Sequence, residues 1–175
     1  MWTLNNTYLW ANFSAPTNLL ISENDTVHFP PHYEAYYTPD TPDAWMYIVF
    51  NDISERNRSH PMHLHGHDFF VLGIGDGNYS KDSPLNLENP PRRDTATWPE
   101  RGYMVLAFKT DNPGTWLLHC HIAWHSSQGL GLQIIERPED MEISSPQKEM
   151  NRRMCQAWDK YWKNPDTNIQ EDSGI

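Results

Sequence analysis

Apolar and polar positions alternate between short β-forming runs and turn formers along the middle of the chain. Residues 45–50 are dense in β-formers and stop at Asn51-Asp52; residues 68–73 form a second run that ends in the glycine-rich segment Gly73-Ile74-Gly75-Asp76-Gly77-Asn78. Both read as buried strands. Residues 103–109 and 114–121 are two more, separated by Asp111-Asn112-Pro113-Gly114, where Pro followed by Gly fits a type II turn. Residues 131–136 add a last strand before Pro138. Short strands with regular turn signals predict an all-β fold, a Greek-key β-sandwich or barrel. Residues 1 to about 45 are polar and punctuated by proline, and read as loops and edge strands, with short strands near residues 8–13 and 26–29.

The period then changes. Ser144-Ser145-Pro146-Gln147 supplies an N-cap, an early proline and a glutamine at capping-box spacing, and Met150, Met154, Trp158 and Trp162 recur every four residues. A helix over residues 146–162 is predicted, its apolar stripe a docking face, ended by Asn164-Pro165 and followed by a polar tail. Residues 1–138 form one β domain and residues 139–175 its C-terminal helix and extended tail.

Composition narrows the function classes. Lys and Arg number 13 against 23 Asp and Glu, a net charge of −10, which repels nucleic acid and anionic membrane alike. Mean hydropathy is −0.75, and no run approaches the roughly 18 apolar residues of a spanning helix. The first residues lack the basic and apolar regions of a signal peptide. Yet Asn5, Asn12, Asn24, Asn57 and Asn78 each begin an Asn-x-Ser/Thr acceptor, which suggests a secreted, glycosylated parent whose signal lies upstream. Of the two cysteines, Cys120 sits between histidines, a metal-binding rather than a disulfide setting. Cys155 is left odd and is either paired outside this chain or a buried thiol.

Seven of the nine histidines fall into two groups, His60-Pro61-Met62-His63-Leu64-His65-Gly66-His67 and His119-Cys120-His121-Ile122-Ala123-Trp124-His125. A purification tag would be uninterrupted and would lack cysteine. Side chains of a strand alternate faces, so His119 and His121 share a face and Cys120 points to the other; His63 and His65 share a face, and His60, three residues before His63, points oppositely. Each group therefore serves two sites. His60, Cys120 and His125 form a His₂Cys set whose thiolate and imidazoles suit an electron-transfer copper. His63, His65, His119 and His121 form an imidazole face suited to further copper ions, and the spacing supplies no Cys₂His₂ set for structural zinc. The position five beyond His125, where such a copper often has a weak methionine donor, is Leu130, a non-ligand that favours cuprous ion and a high reduction potential. Cys120 is peptide-bonded to His119 and His121, with neighbouring Cα atoms about 3.8 Å apart, a through-bond route between the sites.

These strings resemble the C-terminal copper motifs of multicopper oxidases, a cupredoxin-like domain. The resemblance implies type 1 copper at His60, Cys120 and His125, type 2 copper at His63, and the type 3 pair at His65, His119 and His121. Asn89-Pro90-Pro91-Arg92-Arg93-Asp94-Thr95 and the terminal Asp172-Ser173-Gly174-Ile175 are similar to the ascomycete laccase branch, where such a tail plugs the tunnel to the trinuclear site. Laccases of this kind oxidise phenolic donors at type 1 copper and reduce dioxygen to water, and their upstream cupredoxin domains supply the other half of the cluster histidines. By that resemblance the donor reaches His125, Cys155 bridges to the first domain, and Ala123 stands where relatives carry a carboxylate, so Asp172 or the Ile175 carboxylate takes over proton transfer. His28 and His32 are expected as surface histidines, His67 as structural, and Arg92-Arg93-Asp94 as a turn with an ion pair. A ferroxidase or ascorbate oxidase, or a truncated copper-binding electron-transfer domain without turnover, are the rival readings; the isolated chain is expected to be inactive.

Overall fold

The computed structural model describes residues 1–23, 28–54, 56–166 and 175. Among the described residues nine strands form two sheets: β1 (Ala35–Tyr37), β2 (Trp45–Asn51), β3 (His60–Leu64), β4 (Phe69–Asp76), β5 (Arg92–Arg93), β6 (Thr95–Trp98), β7 (Gly102–Lys109), β8 (Gly114–Cys120) and β9 (Gly131–Glu136). One sheet runs β1-β9-β8-β3-β6 and the other β2-β7-β4-β5, with only the β1–β9 pair parallel. This is the expected all-β sandwich. Phe50, Met62, Leu64, Phe69, Met104, Leu106, Phe108 and Leu118 fill the space between the sheets. The central strand β7 is buried on both faces, because Leu72, Tyr103, Val105 and Ala107 are covered from outside by Phe70, Tyr79 and Leu85.

The glycine-rich run at 73–78 does not end β4 at Gly73; the strand continues into it as far as Asp76, with a register shift between Val71 and Gly73. The reason is steric. A Cβ on Gly75 would lie 2.7 Å from the Tyr103 ring, so only glycine lets the strand pass that side chain. The first predicted strand is not buried as expected: β2 is an edge strand with Trp45, Tyr47 and Val49 exposed in alternation. No strand spans residues 8–13, and a short helix, α1 (Thr17–Ser22), follows them. At the second predicted early strand, residues 28 and 29 carry no regular structure and residues 26 and 27 lie outside the described residues. Arg92 and Arg93 pair with Phe70 and Phe69 as β5 rather than forming a turn, and Arg92 meets Asp68 at 3.5 Å.

After the five-residue helix α2 (Ala123–Ser127) and β9, helix α3 (Ser145–Lys163) matches the predicted tail helix. The Ser144 N–H donates to Gln147 Oε1 at 2.9 Å, the capping box its spacing announced. Its four-residue stripe divides. Met150 and Met154 are exposed, whereas Trp158 meets Phe13 edge-on at 5.0 Å and Cys155 is buried without a disulfide partner among the described residues. Lys148 donates to Ser22 O at 2.7 Å and Arg152 pairs with Glu23 at 2.6 Å, so α3 docks on α1 by polar contacts as well.

Candidate metal centre

Two antiparallel strands carry most of the site. In the β3–β8 ladder Met62 pairs with Cys120, His63 with His119 and Leu64 with Leu118. Partners across a ladder share a face, so this register sends His60, Met62 and Cys120 into the core and His63 and His119 to the opposite side. The burial of β3 alternates accordingly.

On the core side three donor atoms converge. His60 Nδ1 and His125 Nδ1 lie 3.1 Å apart, and Cys120 Sγ is 3.7 Å from the first and 3.6 Å from the second. His60, Cys120 and His125 are all buried, the cysteine completely. Helix α2 delivers His125: its N–H donates to Ile122 O at 2.9 Å, tightening the chain so that the imidazole turns back under Cys120. Burial, then the neighbouring His125, lowers the His60 pKa to about 4. His125 is lowered too, by burial and then by the charges of Arg58 and Arg56. Both imidazoles are therefore neutral near pH 7 with lone pairs available. Burial pushes the Cys120 thiol up, and only a cation among these donors would reverse that. Neutral imidazoles and a soft sulfur held within one small space fit a copper ion. Leu130, 2% exposed, stands with His60 in the wall of one cavity and offers no donor atom.

On the other side four imidazoles gather. Ring centroids lie 4.9 Å apart for His63–His65, 5.8 Å for both His63–His119 and His63–His121, and 5.7 Å for the stacked His119–His121 pair. His65 Nε2 and His119 Nε2 are 3.2 Å apart. The far nitrogens are engaged: His63 Nδ1 lies 2.8 Å from Asp94 O and 3.1 Å from Thr95 Oγ1, and His119 Nδ1 lies 3.0 Å from Cys120 O and 2.9 Å from Ser126 Oγ. These partners aim Nε2 into the cluster, as outer partners of metal-ligating histidines do. Burial lowers the proton affinity of His65 and His119, and the other cluster histidines lower it further. This face opens into a groove of about 790 Å³ bordered by Trp45, Asp68, Arg92, Asp94, Lys109 and Asp111.

His67 belongs to neither set. It is buried, with Nε2 2.8 Å from Oε2 of the fully buried Glu136, whose Oε1 accepts the Asn112 N–H at 2.7 Å. His32 is partly buried rather than a plain surface residue, with its carbonyl accepting the Trp10 N–H at 2.8 Å. Asp172 lies outside the described residues. Ile175 is described, and its Cδ1 lies 3.3 Å from where a Gly131 Cβ would stand, opposite His119 in the ladder. Sequence reasoning did not find Ser126, Thr95 or Trp2. Trp2 packs against both core-side imidazoles, edge-on to His60 at 4.9 Å between centroids and tilted against His125 at 4.3 Å. Only the ladder register and the closing of the N-terminal segment reveal these three.

Residues 3–140 match the family model described as multicopper oxidase. The oxidoreductase OpS5 of Beauveria bassiana is 67% identical over 175 residues, covering 100% of this chain and 30% of that protein. Laccase-2 of Botryotinia fuckeliana is 41% identical over 179 residues, covering 99% and 30%. The crystal structure of a laccase from Botrytis aclada superposes with a TM-score of 0.88 at 39% identity, covering 100% of this chain and 32% of that one. The chain thus spans about a third of the length of the proteins it matches. A cupredoxin-like sandwich, a His₂Cys pocket back to back with an imidazole face, and these likenesses lead to one statement: the chain belongs to the multicopper oxidase family and corresponds to the C-terminal domain of an ascomycete-type laccase.

Proposed function

We propose that this chain is the donor-oxidising domain of a laccase, residues 1–138 forming the cupredoxin unit and residues 139–175 the helix and tail. The observation that carries the reading is the division of donors across the β3–β8 ladder, three converging on the core side and four imidazoles on the other. His60, Cys120 and His125 would hold type 1 copper, with Leu130 as a non-ligand; His63 would hold type 2 copper, and His65, His119 and His121 the type 3 pair. Copper bound in these sets would supply one-electron oxidation of phenolic donors and reduction of dioxygen to water.

The protein's own part is positional. His125 presents the imidazole edge away from Cys120 to the donor, and Cys120 joins both sets through its peptide bonds to His119 and His121. Asp94 O, Thr95 and Ser126 hold the cluster imidazoles in one orientation. The Asp172 or Ile175 carboxylate delivers protons where Ala123 has none, and Ile175 beside Gly131 supports a tail directed at the cluster. Upstream domains of a secreted, glycosylated parent complete the cluster, with Cys155 bridging to one of them.

Oxygen uptake by the copper-loaded parent with a phenolic donor tests this. Uptake that disappears, together with the blue absorption, in Cys120→Ser supports it; uptake unaffected by that substitution refutes the ligand set. A second reading follows from the cluster face itself, which has only four imidazoles among the described residues: the chain alone binds copper in the His₂Cys pocket and turns nothing over. About one bound copper per chain and no oxygen uptake distinguish it.

A further inference from the structure

His125 turns Nδ1 toward Cys120 Sγ, 3.6 Å away, so on the laccase reading its opposite edge is the one offered to a donor. The surroundings of that ring are aromatic and cationic. Trp2 tilts over it at 4.3 Å between centroids, and Trp124, 66% exposed, stands edge-on at 6.2 Å. Arg56 lays its guanidinium 4.7 Å from the Trp2 ring centre, on a ring that itself touches His125. Arg58 follows, its N–H donating to Arg56 O at 3.0 Å, in an exposed turn that runs directly into His60. Arg58 also stands two residues before His60, whose ring centroid lies 4.9 Å from that of His125.

These two guanidinium groups stand on a chain of net charge −10. Arg137 and Arg152 each have a carboxylate within ion-pair distance, whereas among the described residues neither Arg56 nor Arg58 has one. Asp52, the nearby acid, accepts the N–H groups of Ser54 and Arg101 at 2.8 and 2.7 Å, and its charge acts on His60. A guanidinium matches a carboxylate in shape and charge and holds it in charge-assisted hydrogen bonds, while the neighbouring indole faces favour a flat ring. The same two charges repel a cationic donor such as ferrous ion.

We infer that Arg56 and Arg58 select carboxylated phenols as the donors oxidised at the His125 edge, an inference that rests on the laccase reading of that site. The donor gives up one electron and its phenolic proton to become a phenoxyl radical, its carboxylate unchanged. Four such donors supply the electrons and protons that turn one dioxygen into two waters.

The holoenzyme tests this with syringate and its methyl ester, which differ in charge at one position of the same ring. The acid-to-ester ratio of kcat/KM exceeds one at low salt and narrows as ionic strength rises. In the double variant R56Q/R58Q that ratio falls about tenfold, the size of one lost charged hydrogen bond, chiefly through KM. R56K/R58K keeps part of the preference, and an intact blue absorption in both variants reports a folded site. Calorimetric titration with 3,5-dimethoxybenzoate, which has no phenol to oxidise, shows binding that R56Q/R58Q weakens, with the corresponding benzamide as the neutral comparison. An unchanged acid-to-ester ratio overturns the inference. Benzoate binding through the arginines with neither donor oxidised keeps the anion site and overturns the laccase reading instead.

Discussion

Cys120 and Leu130 are tied backbone to backbone, the Cys120 N–H donating to Leu130 O at 2.9 Å, while the Leu130 N–H donates to His125 O at 3.0 Å. The apolar residue is thus fixed beside two of the three converging donors. A thioether introduced there would supply the weak ligand that leucine withholds and would favour cupric ion. Leu130→Met is expected to lower the reduction potential of the copper-loaded protein, followed by redox titration of its blue absorption. An unchanged or higher potential contradicts the assignment of Leu130.

The pH dependence of the metal-free chain follows from His60. Its pKa falls from 6.5 to about 4 on folding, so the unfolded chain binds the extra proton across that interval. Stability is therefore fully present above about pH 6.5 and is lost as pH falls toward about 4. His125, His65 and His119 shift in the same direction and steepen the loss. Urea midpoints measured from pH 7 to pH 4 should fall steadily, and His60→Phe should reduce the slope.

The buried pair of His67 and Glu136 makes a separate prediction. Removing one partner leaves a carboxylate without its imidazole at a place with no solvent exposure. His67→Ala is expected to cost about 1–3 kcal/mol in chemical unfolding, the size of leaving a buried polar group without its neighbour. Because His67 Nδ1 also lies 3.3 Å from His65 O, the same variant should loosen the turn that carries His65 and lower copper occupancy of the cluster.

Ile175 approaches Gly131, whose ladder partner is His119. Deleting residues 172–175 should slow dioxygen reduction roughly a hundredfold at saturating donor, the lower end of general acid catalysis, while the blue absorption stays. Unaltered oxygen reduction would remove the tail carboxylates from proton delivery.

The division of ligands was legible in the sequence within each strand because the strand period is two: His119 and Cys120 could not share a face, nor could His60 and His63, if both segments were extended; which faces of the two strands coincide is set by the register that pairs Met62 with Cys120 and His63 with His119. The cap of α3 was legible for the same kind of reason, since Ser144 and Gln147 carry their own hydrogen bond. What escaped depends on contacts distant in sequence. Residues 45–50 look the same whether they lie at the centre or the edge of a sheet, and only the pairing with β7 alone makes β2 an edge. Strands β1, β5 and β6 are too short to show a period, and nothing in Met1-Trp2-Thr3 announces a ring that packs on His60 and His125.

The β3–β8 ladder also sets where the chain tolerates a change of length. Inserting one residue between Leu118 and Cys120 would rotate the thiol out to the imidazole side and a histidine into the core, exchanging the surroundings of both ligand sets in a single step. The same insertion in the exposed turn from Ser80 to Ser83 would lengthen a loop and little else. Indel scanning should therefore find a few residues of strand that accept no change in length, flanked by turns that accept several.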